Sequence, residues 1–280
     1  MKNIKKCDQF LLVKNLMDAV HSQRLDLEEC LSLNILQSPD SRKPLSFDTS
    51  KQLLTDGFHQ YPIKSNIPIL HSRSLIDVIG DGFLKLDYYE DPLLQYYLLN
   101  QIKNYIIPNA PTDSRPYEKH LFRISKFCED LCGLVLDIGC DNPLIGSAIF
   151  PKEAKYLGLD PMLSGESFRV SSIAEILPFT DESFDNIVFN TSLDHILDYQ
   201  TAIEEAFRVL KNNGKLIIST YIWEKRATLL TDIVHFHHFR YNQIVNALSA
   251  FTISKEIIYQ CPKNGQHRHE LMIMASKSVI

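Results

Sequence analysis

The sequence predicts an α/β protein: a Rossmann-like, mostly parallel sheet covered by helices on both faces, with a small β-rich module in front. Three observations carry that prediction. Leu134-Val135-Leu136, Tyr156-Leu157-Gly158-Leu159, Ile187-Val188-Phe189 and Leu216-Ile217-Ile218 are near-continuous apolar runs of strand length, which is how strands buried on both faces read. Between the last two lies a helical pattern from Tyr199 to Leu210, with Ala202, Ile203, Ala206, Phe207, Val209 and Leu210 on one face and Glu204, Glu205 and Arg208 expected in water. Gly is scarce, yet Gly133, Gly139, Gly146, Gly158 and Gly165 all fall in one short stretch where the first apolar run ends. Strand and helix in alternation define a layered α/β fold.

Composition narrows the partners. With 29 Lys+Arg against 34 Asp+Glu the net charge is −5, so the chain lacks the positive field that nucleic acid or an acidic membrane would draw on. Neither is expected as a partner. The six cysteines are scattered without a repeated Cys-x-x-Cys spacing, which argues against a disulfide framework and for a reducing cytoplasm. Lys2, Lys5 and Lys6 precede Phe10-Leu11-Leu12-Val13, but Lys14 and Asp18 interrupt the apolar run, so residues 1–30 read as an amphipathic helix and not as a secretory leader.

Residues 31–72 are dense in turn formers, Ser38-Pro39-Asp40-Ser41 among them, followed by Tyr61-Pro62-Ile63 and Ile67-Pro68-Ile69-Leu70 around a Ser65-Asn66 turn; such pieces make a small β module. Residues 73–132 turn helical, with Leu93, Leu94, Tyr97 and Leu98, then Tyr117, His120, Leu121, Ile124 and Cys128 at helical spacing. Residues 133–280 hold the sheet. Asn212-Asn213-Gly214 should stop the helix that begins at Tyr199, with Gly214 in the left-handed position. A helix from Tyr241 to Phe251 leads to strands at Thr252–Tyr259 and Leu271–Ala275, an antiparallel hairpin closing the sheet edge.

Asp137 and Gly139 stand at the carboxyl end of the first strand, and Asp160 ends the second, where open α/β sheets bind ligands. An acid in the place of Asp160 accepts hydrogen bonds from the ribose hydroxyls of an adenosine. A nicotinamide dinucleotide would want Gly-x-Gly-x-x-Gly, but the three places are Gly139, Asp141 and Leu144. Asp137 and Asp141 would repel a pyrophosphate and attract a ligand carrying an ammonium and a sulfonium.

From Leu134 to Tyr221 the chain resembles a class I S-adenosylmethionine-dependent methyltransferase. The resemblance is carried by Val135-Leu136-Asp137-Ile138-Gly139-Cys140, Tyr156-Leu157-Gly158-Leu159-Asp160, Ala174-Glu175-Ile176-Leu177-Pro178-Phe179, and Glu205-Ala206-Phe207-Arg208-Val209-Leu210-Lys211-Asn212-Asn213-Gly214, in family order. It implies a seven-stranded sheet, S-adenosyl-L-methionine as cofactor and S-adenosylhomocysteine as product. By the same resemblance Asp137, Gly139 and Cys140 lie under the methionine part, Asp160 and Pro161 hold the ribose side, and Ile173 and Ala174 flank the adenine; Asn190, at the end of its strand, sits over the cofactor by the end-of-strand rule. The chain departs from the family pattern at Asp141-Asn142-Pro143, where further glycines are usual, and at Ile173, where an aspartate would accept from the adenine amino group. The latter loss costs about 1 kcal/mol.

Methyl transfer from a sulfonium is an in-line displacement, so the protein's task is placement and exclusion of water. His195, in Ser192-Leu193-Asp194-His195 after the fourth strand, is the first candidate base; His235 and His238, in His235-Phe236-His237-His238-Phe239, form a second cluster, which the resemblance implies lies in a segment covering the acceptor. That triplet has no local carboxylate or thiolate, so no metal is expected. Tyr88 and Tyr89 are candidates for a lid. Residues 31–72 resemble the zinc-ribbon activator module of tRNA and protein methyltransferases, with Ser38-Pro39-Asp40-Ser41 where a metal-binding ribbon has Cys-Pro-x-Cys and the second pair near Thr55 and Phe58. Hydroxyls do not replace thiolates for zinc, so a metal-free ribbon walling one side of the cleft is expected. The reading is methyl transfer to a small-molecule acceptor. Its alternative is a catalytically silent relative serving as a binding or assembly partner, for which Asp141, Pro143 and Ile173 are the residues that speak.

Overall fold

The computed structural model describes residues 24–72, 114–161, 168–224, 235–261 and 268–278. The Phe10–Val13 helix, Tyr88, Tyr89, the Leu93–Leu98 pattern and Gly165 lie outside the described residues. A short helix, α1 (Leu27–Ser32), opens the described chain at the end of the stretch expected to be helical, nucleated by a capping box in which Asp26 and Glu29 satisfy each other's amides.

Four short strands, β1 (Ser46–Asp48), β2 (Leu53–Thr55), β3 (Gln60–Lys64) and β4 (Ile67–Pro68), form an antiparallel sheet in that order. Ser65 and Asn66 take φ of +48° and +66° between β3 and β4, the double left-handed turn whose twist suits a hairpin. After α2 (Ser114–Phe127) come β5 (Gly133–Ile138), α3 (Pro143–Ser147), β6 (Ala154–Leu159), β7 (Phe184–Asn190), a 3-10 turn (Leu193–His195), α4 (Tyr199–Val209), β8 (Leu210–Trp223), α5 (Tyr241–Ala247), β9 (Phe251–Gln260) and β10 (Arg268–Lys277). The main sheet runs β6-β5-β7-β8-β10-β9, parallel through β8 and antiparallel at β10 and β9. The α/β class and the closing hairpin stand as predicted.

Alternation along the strands sorts two cores. Leu134, Leu136, Ile138, Ile187, Phe189, Leu216 and Ile218 join α4 in one buried cluster. Val135, Val188, Ile217 and Met272 point the other way, into a cluster closed by Leu121, Ile124 and Phe127 of α2. Runs apolar at every position are what a sheet covered on both faces requires.

Six strands of this sheet lie among the described residues, against the seven of the resemblance, but the place beyond β6 is occupied. Val170 forms a one-residue parallel bridge to Leu159, with its amide donating to Gly158 O (2.9 Å) and its carbonyl accepting from Asp160 N (3.1 Å). On its outer side Ser171 bridges Ile69, the residue after β4. The front sheet is therefore stitched to the main sheet edge through backbone hydrogen bonds. Leu36 pairs with Phe179 in the same way, and one apolar cluster runs from Leu36, Leu54, Tyr61 and Leu70 into Leu157, Leu159 and Phe179.

Two local expectations are corrected. Glu205 does not stay in water: it is 9% exposed because Arg42 of the front module (3.0 and 3.2 Å), Arg208 (2.8 Å) and the Leu177 amide (2.9 Å) converge on it. Burial alone would raise its carboxyl, yet the hydrogen bonds and charges of Arg208 and Arg42 outweigh that and hold it below the usual range. Gly214 does not cap α4. The chain enters β8 at once at Leu210, Asn213 takes the left-handed φ of +62°, and the glycine is required for space, since a Cβ there would meet the Leu210 side chain at 2.7 Å. Among the described residues no helix is long and apolar enough to cross a membrane.

Candidate active site

The carboxyl ends of β5, β6 and β7 meet at one loop. Gly139, at φ +78°, turns the chain out of β5 so tightly that a Cβ would stand 2.4 Å from the Cβ of Ser192. Ser192 in turn donates from Oγ to Ile138 O at 2.5 Å, tying the end of β7 beneath the loop. Asp141 follows at φ +47°, and its amide donates to the Asp160 carboxylate at 2.9 Å. Asn142 then caps α3 by accepting from the Leu144 amide, with Pro143 in the first turn, so the departures from the family pattern form an ordinary helix start. Arg169, 1% exposed, donates to Asp141 O at 2.7 Å and brings a buried cation to the loop.

Asp137 is buried beneath this loop. Its Oδ2 accepts from Tyr156 OH at 2.9 Å, while Oδ1 is buried with no hydrogen-bond partner. Burial raises its carboxyl to about 7, with the Asp160 charge pushing the same way and the Tyr156 hydrogen bond only partly opposing it. The Cys140 thiol turns inward to Gly158, whose Cβ would meet its Sγ at 2.7 Å; burial and the charges of Asp160 and Asp137 hold it well above its ordinary range. Cys140 therefore brings its backbone, and not a thiolate, to the loop.

Ile173 and Ala174 are buried in the segment held from the front by Ser172, whose Oγ donates to Leu70 O at 2.7 Å. His71, fully buried with its imidazole pushed down to about 4 by that burial, contacts Ser171 Oγ at 3.0 Å, and Ser171 Oγ reaches Pro161 O at 3.1 Å. The adenosine side expected from Asp160, Pro161, Ile173 and Ala174 is thus braced by the front module.

At the other flank the structure shows a chain that sequence reading missed. His120, 3% exposed, lies 2.7 Å from Asn190 Oδ1 through Nε2 and 2.7 Å from Glu270 Oε1 through Nδ1, and Arg123 pairs with the second oxygen of Glu270. Burial would raise the Glu270 carboxyl, but the hydrogen bonds and charges of His120 and Arg123 hold it down. The available signal was a histidine on the apolar stripe of a predicted helix. Of the predicted histidines, His195 and His235 come together with ring centroids 4.8 Å apart, beside Asp194. His238 is fully buried, 4.6 Å from the Trp223 ring and 5.7 Å from His235. His237 is held against Ile196 O (2.9 Å) and Leu197 O (3.0 Å).

This geometry coincides with a family match: residues 136–218 fit the model of the methyltransferase domain. The stretch is similar to the mitochondrial ubiquinone biosynthesis O-methyltransferase of Bos taurus, 31% identical over 103 residues, 31% of this chain and 28% of that protein. It is also similar to the ubiquinone/menaquinone biosynthesis C-methyltransferase UbiE of Geotalea uraniireducens, 24% identical over 147 residues, 48% of this chain and 62% of that protein. The chain thus matches less than two thirds of the length of either relative. Among solved structures, the fold resembles the Burkholderia thailandensis 1,6-didemethyltoxoflavin-N1-methyltransferase, crystallised with its acceptor and S-adenosylhomocysteine, with a TM-score of 0.56 at 16% identity over 68% of this chain and 92% of that one. The fold resembles that of this methyltransferase, and the loop between β5 and α3 lies within residues 136–218, which match the methyltransferase domain.

Proposed function

We propose that this protein transfers the methyl group of S-adenosylmethionine to a small-molecule acceptor. The observation that carries the reading is the coincidence of the family match with the loop where Asp137, Gly139 and Asp160 converge. Asp160 holds the ribose, the backbone at Gly139 and Cys140 lines the methionine part, and Ile173 and Ala174 flank the adenine. Asp137, buried with a free oxygen, receives the cationic end of the cofactor. Asn190, fixed by His120, faces the methyl end, and His195 with His235 handles the acceptor. The net charge of −5 supports a small molecule over RNA as that acceptor.

In this reading the front module is a metal-free ribbon. Its two turns are joined by polar side chains: Ser38 Oγ to Tyr61 OH (2.7 Å), Tyr61 OH to Asp40 (2.6 Å), Ser41 to Asp56, and Asp56 to His59 Nδ1 (2.9 Å). These hydrogen bonds support that reading. The thiols of Cys30, Cys128, Cys132, Cys140 and Cys261 are all free, which supports a cytoplasmic setting.

Calorimetric titration with S-adenosylhomocysteine, with NAD as control, tests the cofactor site. Binding near about 1 µM, roughly −8 kcal/mol, for the sulfur ligand alone is the expected result. No binding would leave the silent binding partner as the surviving reading.

A further inference from the structure

Beside the cofactor loop, outside any role assigned so far to a metal, Asp194, His195 and His235 converge. One ligand atom from each lies within 4.8 Å of the others. Asp194 is 4% exposed; its Oδ2 stands 3.8 Å from His235 Nε2, and its Oδ1 is buried without a hydrogen-bond partner. A buried carboxylate left with an unmatched oxygen calls for a cation. The backbone holds the set together: Asp194 O accepts from the amides of Phe236 (2.9 Å) and His237 (3.2 Å), so the segment bearing His235 is clamped onto the turn bearing Asp194 and His195. The carboxylate missing from the local sequence of the histidine triplet is supplied by a turn distant in sequence.

We infer that Asp194, His195 and His235 bind a divalent transition metal of the zinc class. Two imidazoles and one carboxylate suit zinc, cobalt or nickel better than the oxygen-seeking magnesium or calcium. Tetrahedral donors about 2.0–2.1 Å from zinc stand roughly 3.4 Å apart, so the three side chains close by about an ångström on the ion. Three protein ligands leave a coordination position open, as in sites where a metal meets a substrate rather than a structural knot. Ser192, two residues before Asp194, packs beneath Gly139, and on the proposed function, which assigns His195 and His235 to the acceptor, that open position is the acceptor's. The inference deepens the proposed function by naming an oxygen-bearing acceptor, a phenol, hydroxyl or carboxylate, as the class that fills it. Metal binding itself does not depend on methyl transfer.

The full chain, stripped with chelator, is titrated with Co²⁺ by absorption and with Zn²⁺ by calorimetry. The expected result is about one equivalent bound near the micromolar range, with cobalt bands of nitrogen and oxygen ligands and no thiolate charge-transfer band. His195→Ala, His235→Ala and Asp194→Asn each weaken binding by about 100-fold or more, since even the groups that only orient metal ligands are worth about 10–100-fold. Cys132→Ser and Asp56→Asn leave it unchanged, which keeps the front module apart from this site. Catechol, a small oxygen chelator, shifts the cobalt bands if a position is open; unchanged bands would overturn the open position and the acceptor class with it. Wild-type binding weaker than about 100 µM, a thiolate band, or undiminished binding in the three variants would overturn the site and leave Asp194 and His235 as an ion pair. Should a variant fail to fold, the cobalt spectrum of the wild-type chain decides alone. Binding of S-adenosylhomocysteine is read separately, so a protein that binds the nucleoside but no metal refutes this inference only.

Discussion

Two carboxylates, Asp56 in the front module and Asp137 under the cofactor loop, are both enclosed by the fold and have opposite surroundings. Asp56 accepts from Ser41 Oγ, from the amides of Phe58 (2.8 Å) and His59 (2.6 Å), and faces His59 Nδ1. Burial would raise it, yet these hydrogen bonds outweigh burial and hold it far below the usual carboxylate range. Asp137 has one partner, one orphan oxygen and a value raised to about 7. A saturated acid is part of the architecture; an unsaturated one is kept for something that arrives later. The same contrast separates His120, held between Glu270 and Asn190, from Asp194 with its unmatched oxygen.

The sharpest way to break the comparison is Asp137→Asn. The folded value of about 7 lies above the ordinary aspartate value of 3.8, so the acid's stabilising contribution is present at low pH and is lost as pH rises through about 7. Ionising it in the fold costs up to about 4 kcal/mol at about pH 8. Asp137→Asn should therefore stabilise the ligand-free chain at about pH 8, by at most that amount, and make no difference near about pH 4. Denaturant midpoints of the two proteins at both pH values check this. The same substitution should weaken S-adenosylmethionine binding, and wild-type affinity should fall by up to about tenfold per pH unit below about 7, with proton release seen as buffer-dependent calorimetric heat.

Asp56→Ala carries the opposite sign. It should cost about 2 to 3 kcal/mol near neutral pH, because several donors lose their acceptor at once. Asp56 is depressed when folded, so its contribution is present above about pH 4 and shrinks as pH falls through the carboxylate range. A denaturant series with pH tests both statements. A smaller effect is expected from Asp160→Ala, roughly tenfold weaker binding of S-adenosylhomocysteine, or about 1.4 kcal/mol, from loss of the ribose contact. The smallest is His120→Gln, which keeps a hydrogen-bonding group beside Asn190 and should lower affinity by about threefold or less, with His120→Ala worse at equal stability if His120 orients Asn190.

The parallel strands were legible because burial on both faces leaves no polar position, and their alternate residues then divide between the two cores without any sequence sign of which is which. Gly139 was legible from its place at the end of the first apolar run, and the structure adds that only a residue without Cβ fits over Ser192. The seam between the sheets was not, since Val170, Ser171 and Ile69 pair through single residues, too short for any periodic pattern. Arg169, Glu270 and the meeting of Asp194 with His235 were hidden for a different reason: each depends on tertiary neighbours, and a lone charged residue in a sequence carries no mark of what it will face. Gly214 was assigned to the wrong cause, conformation in place of space.

The seam covers an edge through which copies of this chain could pair. β6 would end the main sheet with a row of unpaired amides and carbonyls, a template for the strand of another molecule. Arg24 bridges Tyr156, Val170 bridges Leu159, and Ile69 takes the outer side of Ser171, so the segment after β6 and the molecule's own amino-terminal residues cover that template together. A fragment beginning at β5 would keep Val170 but lose Arg24 and Ile69 from that edge, and it should self-associate more readily than the longer chain.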